Sequence, residues 1–131
     1  MPTRIEIEDA QAALIVTAEA ERTQRNLAQT KRVTVAEKQI EREIINAALM
    51  TDILAARFEI NNKLVYTNDD QRRIALVEAQ VASVDYQATL AAETTAQTER
   101  VTADAQAELH RKTYRADELM LEYMVKVSES L

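Results

Sequence analysis

Apolar residues in the first half of the chain recur at intervals of three and four residues. Such spacing places side chains along one face of an α-helix. The stripe comprises Ile40, Ile44, Ile45, Leu49, Ile53 and Leu54. We therefore predict a long helix that uses this face against another helix or another chain. The contact residues expected here are Ile44, Leu49, Ile53 and Ile60.

The segment 119–127 carries apolar side chains on nearly every side of a helix. A helix that is apolar all round requires burial, and one chain of this composition offers little to bury it. The segment is therefore predicted to form an oligomer or partner contact. An adaptable methionine-containing binding surface is the alternative. The residues expected to contribute are Leu119, Met120, Leu121, Tyr123, Met124, Val125 and Val127.

Composition extends the helical interpretation to the whole chain. The 131 residues include no glycine and a single proline, Pro2, so the usual residues of tight turns are almost absent. Much of the apolar content is alanine, and aromatic residues make up 4%, which disfavours a thick globular core. The fold class predicted is all-α, formed by a long helix or a long helical hairpin in one region, 1–131.

The start and the middle of the chain carry helix-capping signals. Thr3 with Glu6 three residues later matches a capping box. Near 66–70, Asn68 is a candidate N-cap followed by acidic residues that suit a helix N-terminus. A break there predicts a hairpin, and polar residues on an uninterrupted helix are an equally weighted alternative. The threonine-rich stretch 93–98 is predicted to remain helical, since no glycine or proline stops it.

An eleven-residue repeat is the main long-range pattern. One ladder comprises Ile5, Val16, Leu27, Leu49 and Ile60. Another, in the second half of the chain, comprises Val81, Ala92, Ala103, Tyr114 and Val125. Eleven residues in three turns give about 3.67 residues per turn, which is typical of a nearly straight or gently right-handed coil. Seven-residue spacing is only local in the sequence. We therefore predict a coiled coil with partly hendecad spacing.

Alternating Ala-Glu, Ala-Gln and Arg motifs occupy 17–22 (TAEAER) and 102–108 (TADAQAE). Together with 56–65 and the segment LEYM at 121–124, they resemble the coil that follows the SPFH domain in stomatins, flotillins, prohibitins and erlins. The resemblance covers most of the chain. It implies a scaffold in which many coils lie side by side and the apolar ends close a cap, and it implies no catalytic residues.

The sequence offers little for catalysis, metals or nucleic acid. Without cysteine or glycine, thiolate chemistry and a glycine-rich phosphate loop are excluded. The single histidine, His110, lacks carboxylate partners at helical spacing and is predicted to be a surface residue. The net charge of −6 is interspersed in sign, which disfavours nucleic acid binding. We predict no enzyme activity, no cofactor and no metal site.

These observations predict a self-assembling scaffold that forms a homo-oligomer. They leave open whether it also binds other proteins. The alternative is a helical structural component of a virion or secretion machine held by partner proteins. No stretch has the apolar length of a membrane span, so membrane contact is expected to be indirect at most. The sequence does not decide the location, which is expected to be the cytoplasm or a membrane to which partner proteins attach the chain.

Overall fold

The computed structural model describes residues 1–56 and 68–129. Three helices account for 96% of these residues, and no strand occurs among them. They are α1 (Arg4–Ala56), α2 (Asp69–Ala82) and α3 (Val84–Glu129). The all-α prediction is confirmed. Ile60, and the first two positions of the expected break at 66–70, lie outside the described residues.

Helix α1 begins where its capping signal predicts. The backbone N–H of Glu6 donates to Thr3 Oγ1 at 3.1 Å, and Ile7 N–H donates to the Thr3 carbonyl at the same distance. Thr3 thereby satisfies a backbone donor that the first turn would otherwise leave without a partner. The helix then continues for 53 residues, with neither glycine nor proline to interrupt it.

Helix α2 begins directly after Asn68, as the capping pattern predicts. The Asn68 backbone is extended (φ −142°, ψ 170°), and its side chain accepts a hydrogen bond from Gln71 N–H at 2.8 Å. Asp69 and Asp70 occupy the first turn, where their charge is favourable to the helix dipole. The N-cap assignment of Asn68 is therefore confirmed.

An interruption at Ser83 was not predicted. Ser83 ends α2 with an extended backbone (φ −79°, ψ 114°) while its N–H still donates to the Ala79 carbonyl. Its hydroxyl then accepts from Tyr86 N–H at 3.1 Å, so one residue caps both helices. The Gln87 side-chain amide donates to the Gln80 carbonyl at 3.0 Å, which satisfies an acceptor at the end of α2.

Helix α3 runs without a break through the threonine-rich stretch 93–98, as predicted. The threonine hydroxyls find partners within the helix. Thr94 donates to the Leu90 carbonyl at 3.0 Å, and Thr102 donates to the Thr98 carbonyl at 3.2 Å. These bonds to the preceding turn give the two hydroxyls partners while the helix continues.

The chain divides into two units. The first unit comprises Met1–Arg32 with Thr98–Leu131. In it, Lys31 Nζ lies 3.1 Å from Glu99 Oε2, while Glu21, earlier in α1, acts electrostatically on Tyr114, later in α3. The two helical segments of the first unit therefore run antiparallel.

The second unit comprises Val33–Gln97. Two side-chain contacts connect α1 to the helices that follow. Arg42 Nε lies 2.5 Å from Glu93 Oε2, and Gln80 Nε2 donates to Asn46 Oδ1 at 2.6 Å. Since the later residue of α1 meets the earlier partner, α1 also runs antiparallel to α2 and α3 within this unit.

Candidate assembly surface

The packed face of α1 in the second unit repeats every seven residues. It is formed by Val35, Arg42, Ile45, Leu49 and Ile53, each buried or half-buried. Ile53 is the most enclosed large apolar residue of this face, with 7% exposed. Positions three and four residues apart stay on one side of a helix, and this side meets α2 and the start of α3.

A second apolar stripe lies on the opposite side of the same helix segment. This outer stripe of α1 comprises Val33, Ile40, Ile44, Ala47 and Leu54, all of them exposed. Four members are seven residues apart, and Ile44 is 64% exposed. The outer stripe therefore follows the same seven-residue period as the packed face without being covered inside the chain.

The single stripe expected from the sequence is thus wrong in detail, because its members divide between two faces. Among the expected contact residues, Ile53 is buried and Leu49 is half-buried, whereas Ile44 belongs to the outer stripe. Intervals of three and four residues occur on both sides of α1. Spacing alone could not separate the face that packs within the chain from the face that does not.

Helix α2 carries its own exposed apolar stripe. Ile74, Val77 and Val81 follow one another at intervals of three and four residues and are 52–71% exposed. The opposite side of α2 contains the buried Ala75. Val84, at the start of α3, is 82% exposed, so apolar exposure continues beyond the interruption at Ser83.

The packed side of the second unit contains a charged pair that sequence reasoning missed. Glu93 is 6% exposed, and its carboxylate accepts from Arg42 Nε at 2.5 Å. The hydrogen bond from Arg42 to this carboxylate raises the pKa of Arg42 above its ordinary value, and Tyr86 adds a smaller hydrogen-bonding contribution. The available signal was the position of Arg42, seven residues after Val35 and seven before Leu49.

The first unit packs through small residues. Ala28 on α1 and Ala103 on α3 are its buried hydrophobic residues among those described. The eleven-residue ladder of α1 does not mark this packed face. Its members Ile5, Val16 and Leu27 are 69%, 65% and 43% exposed, because the half-buried positions of α1 recur every seven residues instead.

The segment 119–127 at the end of α3 is apolar on both exposed and half-buried sides. Leu121, Met124, Val125 and Val127 are half-buried. Leu119, Met120 and Tyr123 are exposed, Tyr123 by 65%. The structure therefore brings the seven expected contact residues together on one helical segment, and three of them remain uncovered by the chain.

The single histidine differs from its expected position. His110 is half-buried on the side of α3 that also contains Ala103 and Ala107, whereas a surface position was predicted. Within residues 1–56 and 68–129, no three His, Cys, Asp or Glu side chains form a group that could hold a metal ion. In the same residues, no helix is both long enough and apolar enough to cross a membrane.

No protein-family model, curated protein or solved structure matches this chain.

Proposed function

We propose that this chain is a non-enzymatic structural protein that assembles with further copies of itself through its exposed helix faces. The distribution of apolar residues supports this proposal. In the described part of the chain, seven hydrophobic residues are buried and four of them are alanine, whereas nineteen large apolar residues are exposed. Single exposed apolar residues are ordinary, but residues aligned along helix faces are typical of interaction surfaces.

The free energy gained by burying the outer stripe in a contact indicates how many faces a stable assembly needs. Its four large residues, Val33, Ile40, Ile44 and Leu54, are 41–64% exposed. Fully burying such a side chain stabilises by about 1.5–3 kcal/mol, so covering the remaining half gives about 1 kcal/mol each. Two outer stripes together supply about 8 kcal/mol, which lies within the roughly 4–15 kcal/mol estimated for the association cost. Stable assembly therefore needs additional faces, which favours more than two copies.

The stripe on α2 and the segment 119–127 are the additional faces in this proposal. The resemblance to SPFH coils implies the same arrangement, with helices side by side and apolar ends clustered. A chain held by different partner proteins would expose the same residues but would not associate with itself. Mass in solution therefore distinguishes the two possibilities.

The proposal is tested by placing a charge on the outer stripe. Ile44→Asp buries a carboxylate in any contact made there, but it leaves the packed face untouched. Gln39→Asp is the matched control, because it adds the same charge at an exposed polar position of the same helix. We expect Ile44→Asp to reduce the mass measured by light scattering while circular dichroism stays helical, and Gln39→Asp to retain the wild-type mass.

Equal masses for Ile44→Asp and wild type would contradict assembly through this face. Ile53→Asp serves as a second comparison, since Ile53 is buried inside the chain. It should reduce helical content as well as mass, which separates loss of the fold from loss of assembly.

A further inference from the structure

Helix α1 in the second unit has two faces that could pack within the chain. The packed face includes a charged residue, Arg42, whereas the outer stripe includes Ile40 and Ile44 without a charge among its five members. Burial of apolar area alone does not favour the face that is used. A seven-residue repeat also permits the helix to slide by two turns and present a similar face. Another interaction must select both face and register.

We infer that the ion pair between Arg42 and the buried Glu93 selects which face of α1 packs within the chain and fixes its antiparallel register. The inference goes beyond the proposed function and does not depend on it. It rests on the 2.5 Å separation of Arg42 Nε from Glu93 Oε2 and on side-chain exposures of 28% and 8%. Tyr86, itself 8% exposed, is near enough to Arg42 to contribute to its raised pKa.

The alternatives leave Glu93 without its cation. Sliding α1 by seven residues replaces Arg42 with Val35 or Leu49, and turning α1 to its outer stripe moves Arg42 away. An enclosed carboxylate without a partner is strongly unfavourable, whereas an apolar pair in its place is often tolerated. The pair therefore contributes little net stability but penalises every other arrangement, in the way that single buried polar residues fix the register of coiled coils.

The Asn46–Gln80 contact provides a reporter of the same register. Gln80 Nε2 and Asn46 Oδ1 are 2.6 Å apart, and the chain has no cysteine of its own. Cysteines at 46 and 80 joined by a short thiol cross-linker report the observed register, while cysteines at 39 and 80 report the slide of seven residues that replaces Arg42 with Val35. Both reporters remove the amide contact, so that contact is not the source of any remaining preference.

The full-length chain carrying either reporter is cross-linked at low concentration, and products within one chain are identified by peptide mass mapping. With Arg42 and Glu93 present, we expect the 46–80 product and little 39–80 product. With Arg42→Met and Glu93→Leu together, helical content should persist and the two products should form in comparable yield. Retention of the 46–80 product alone in this background would overturn the inference.

A charge reversal keeps the inference falsifiable if the apolar pair unfolds the unit. Glu93→Arg alone places two cations together and should reduce the 46–80 yield. Adding Arg42→Glu should restore it. Failure of the reversed pair to restore the yield would overturn the inference, because attraction between the two groups would then not be the cause.

Lys38→Met with Glu41→Leu is the matched control. It removes another ion pair, 3.4 Å between Lys38 Nζ and Glu41 Oε2, within the same helix, and it should leave the 46–80 product dominant. Equal loss of register in this control would also overturn the inference. Because the products form within one chain, these outcomes are independent of whether copies associate.

Discussion

At the scale of single residues, capping explains where the described helices begin. Thr3 and Asn68 accept hydrogen bonds from the N–H groups of Glu6 and Gln71, and both assignments could be made from the sequence. Ser83 could not, because a serine inside a long apolar-periodic stretch gives no indication that its hydroxyl will receive the Tyr86 N–H.

The cap at Asn68 gives a prediction for stability. Asn68→Ala removes the acceptor of the Gln71 N–H and should reduce the free energy of unfolding by about 1 kcal/mol, as losses of this kind do. Asn68→Asp retains a side-chain oxygen and should remain close to wild type. Urea denaturation followed by circular dichroism measures both. A loss for Asn68→Asp as large as that for Asn68→Ala would contradict the role of the cap.

Tyr114 gives a prediction for alkaline pH. The hydrogen bond to Glu118 and the charge of that carboxylate raise the pKa of Tyr114 above its ordinary value, so the contact favours the neutral phenol. Its contribution is present below the ordinary tyrosine pKa and is lost as the pH rises through the raised pKa. Near-ultraviolet titration should show a late tyrosinate step that Tyr114→Phe removes and Glu118→Gln moves to lower pH.

A titration curve whose high-pH end is the same in wild type and Tyr114→Phe would contradict this assignment. Since the Tyr114 side chain is only half-buried, solvent screens the contact, and the effect belongs to the titration curve rather than to overall stability.

At the scale of helices, the sequence predicted that the segments are helical, but it did not predict which face of each helix packs within the chain. The lack of glycine and the abundance of helix-forming residues predicted α1 and α3, including the continuity of α3 through 93–98. The stripe around Ile44, Leu49 and Ile53 was correctly placed on a helix, yet its members lie on two faces. A helix with apolar residues at intervals of three and four on both sides contains no local signal for which side packs within the chain.

The packed faces also explain why the eleven-residue ladder of α1 did not mark inward positions, whereas the ladder on α3 includes the buried Ala103 and the half-buried Ala92, Tyr114 and Val125. The inward positions of α1 recur every seven residues and include small or polar side chains such as Ala28, Lys31 and Arg42. A search restricted to large apolar residues passes over them. It finds instead residues such as Val16 and Leu27, which align along an exposed side of α1.

At the scale of the whole molecule, the described part of the chain leaves nineteen large apolar side chains exposed. Alanine permits close approach of helices but buries little area, so the packed faces hold few large side chains. Many of the larger ones are exposed, including those on the outer stripe of α1, on α2 and at 119–127. In our proposal these surfaces are covered by further copies of the chain.

The most direct measurement is the mass of the wild-type chain in solution by light scattering after size-exclusion chromatography, over a series of concentrations. A single chain has a mass of 14.8 kDa. We predict a discrete species of several times that mass that persists on dilution. A helical species that remains at the mass of one chain throughout the series would contradict self-assembly and would indicate a chain held by other proteins.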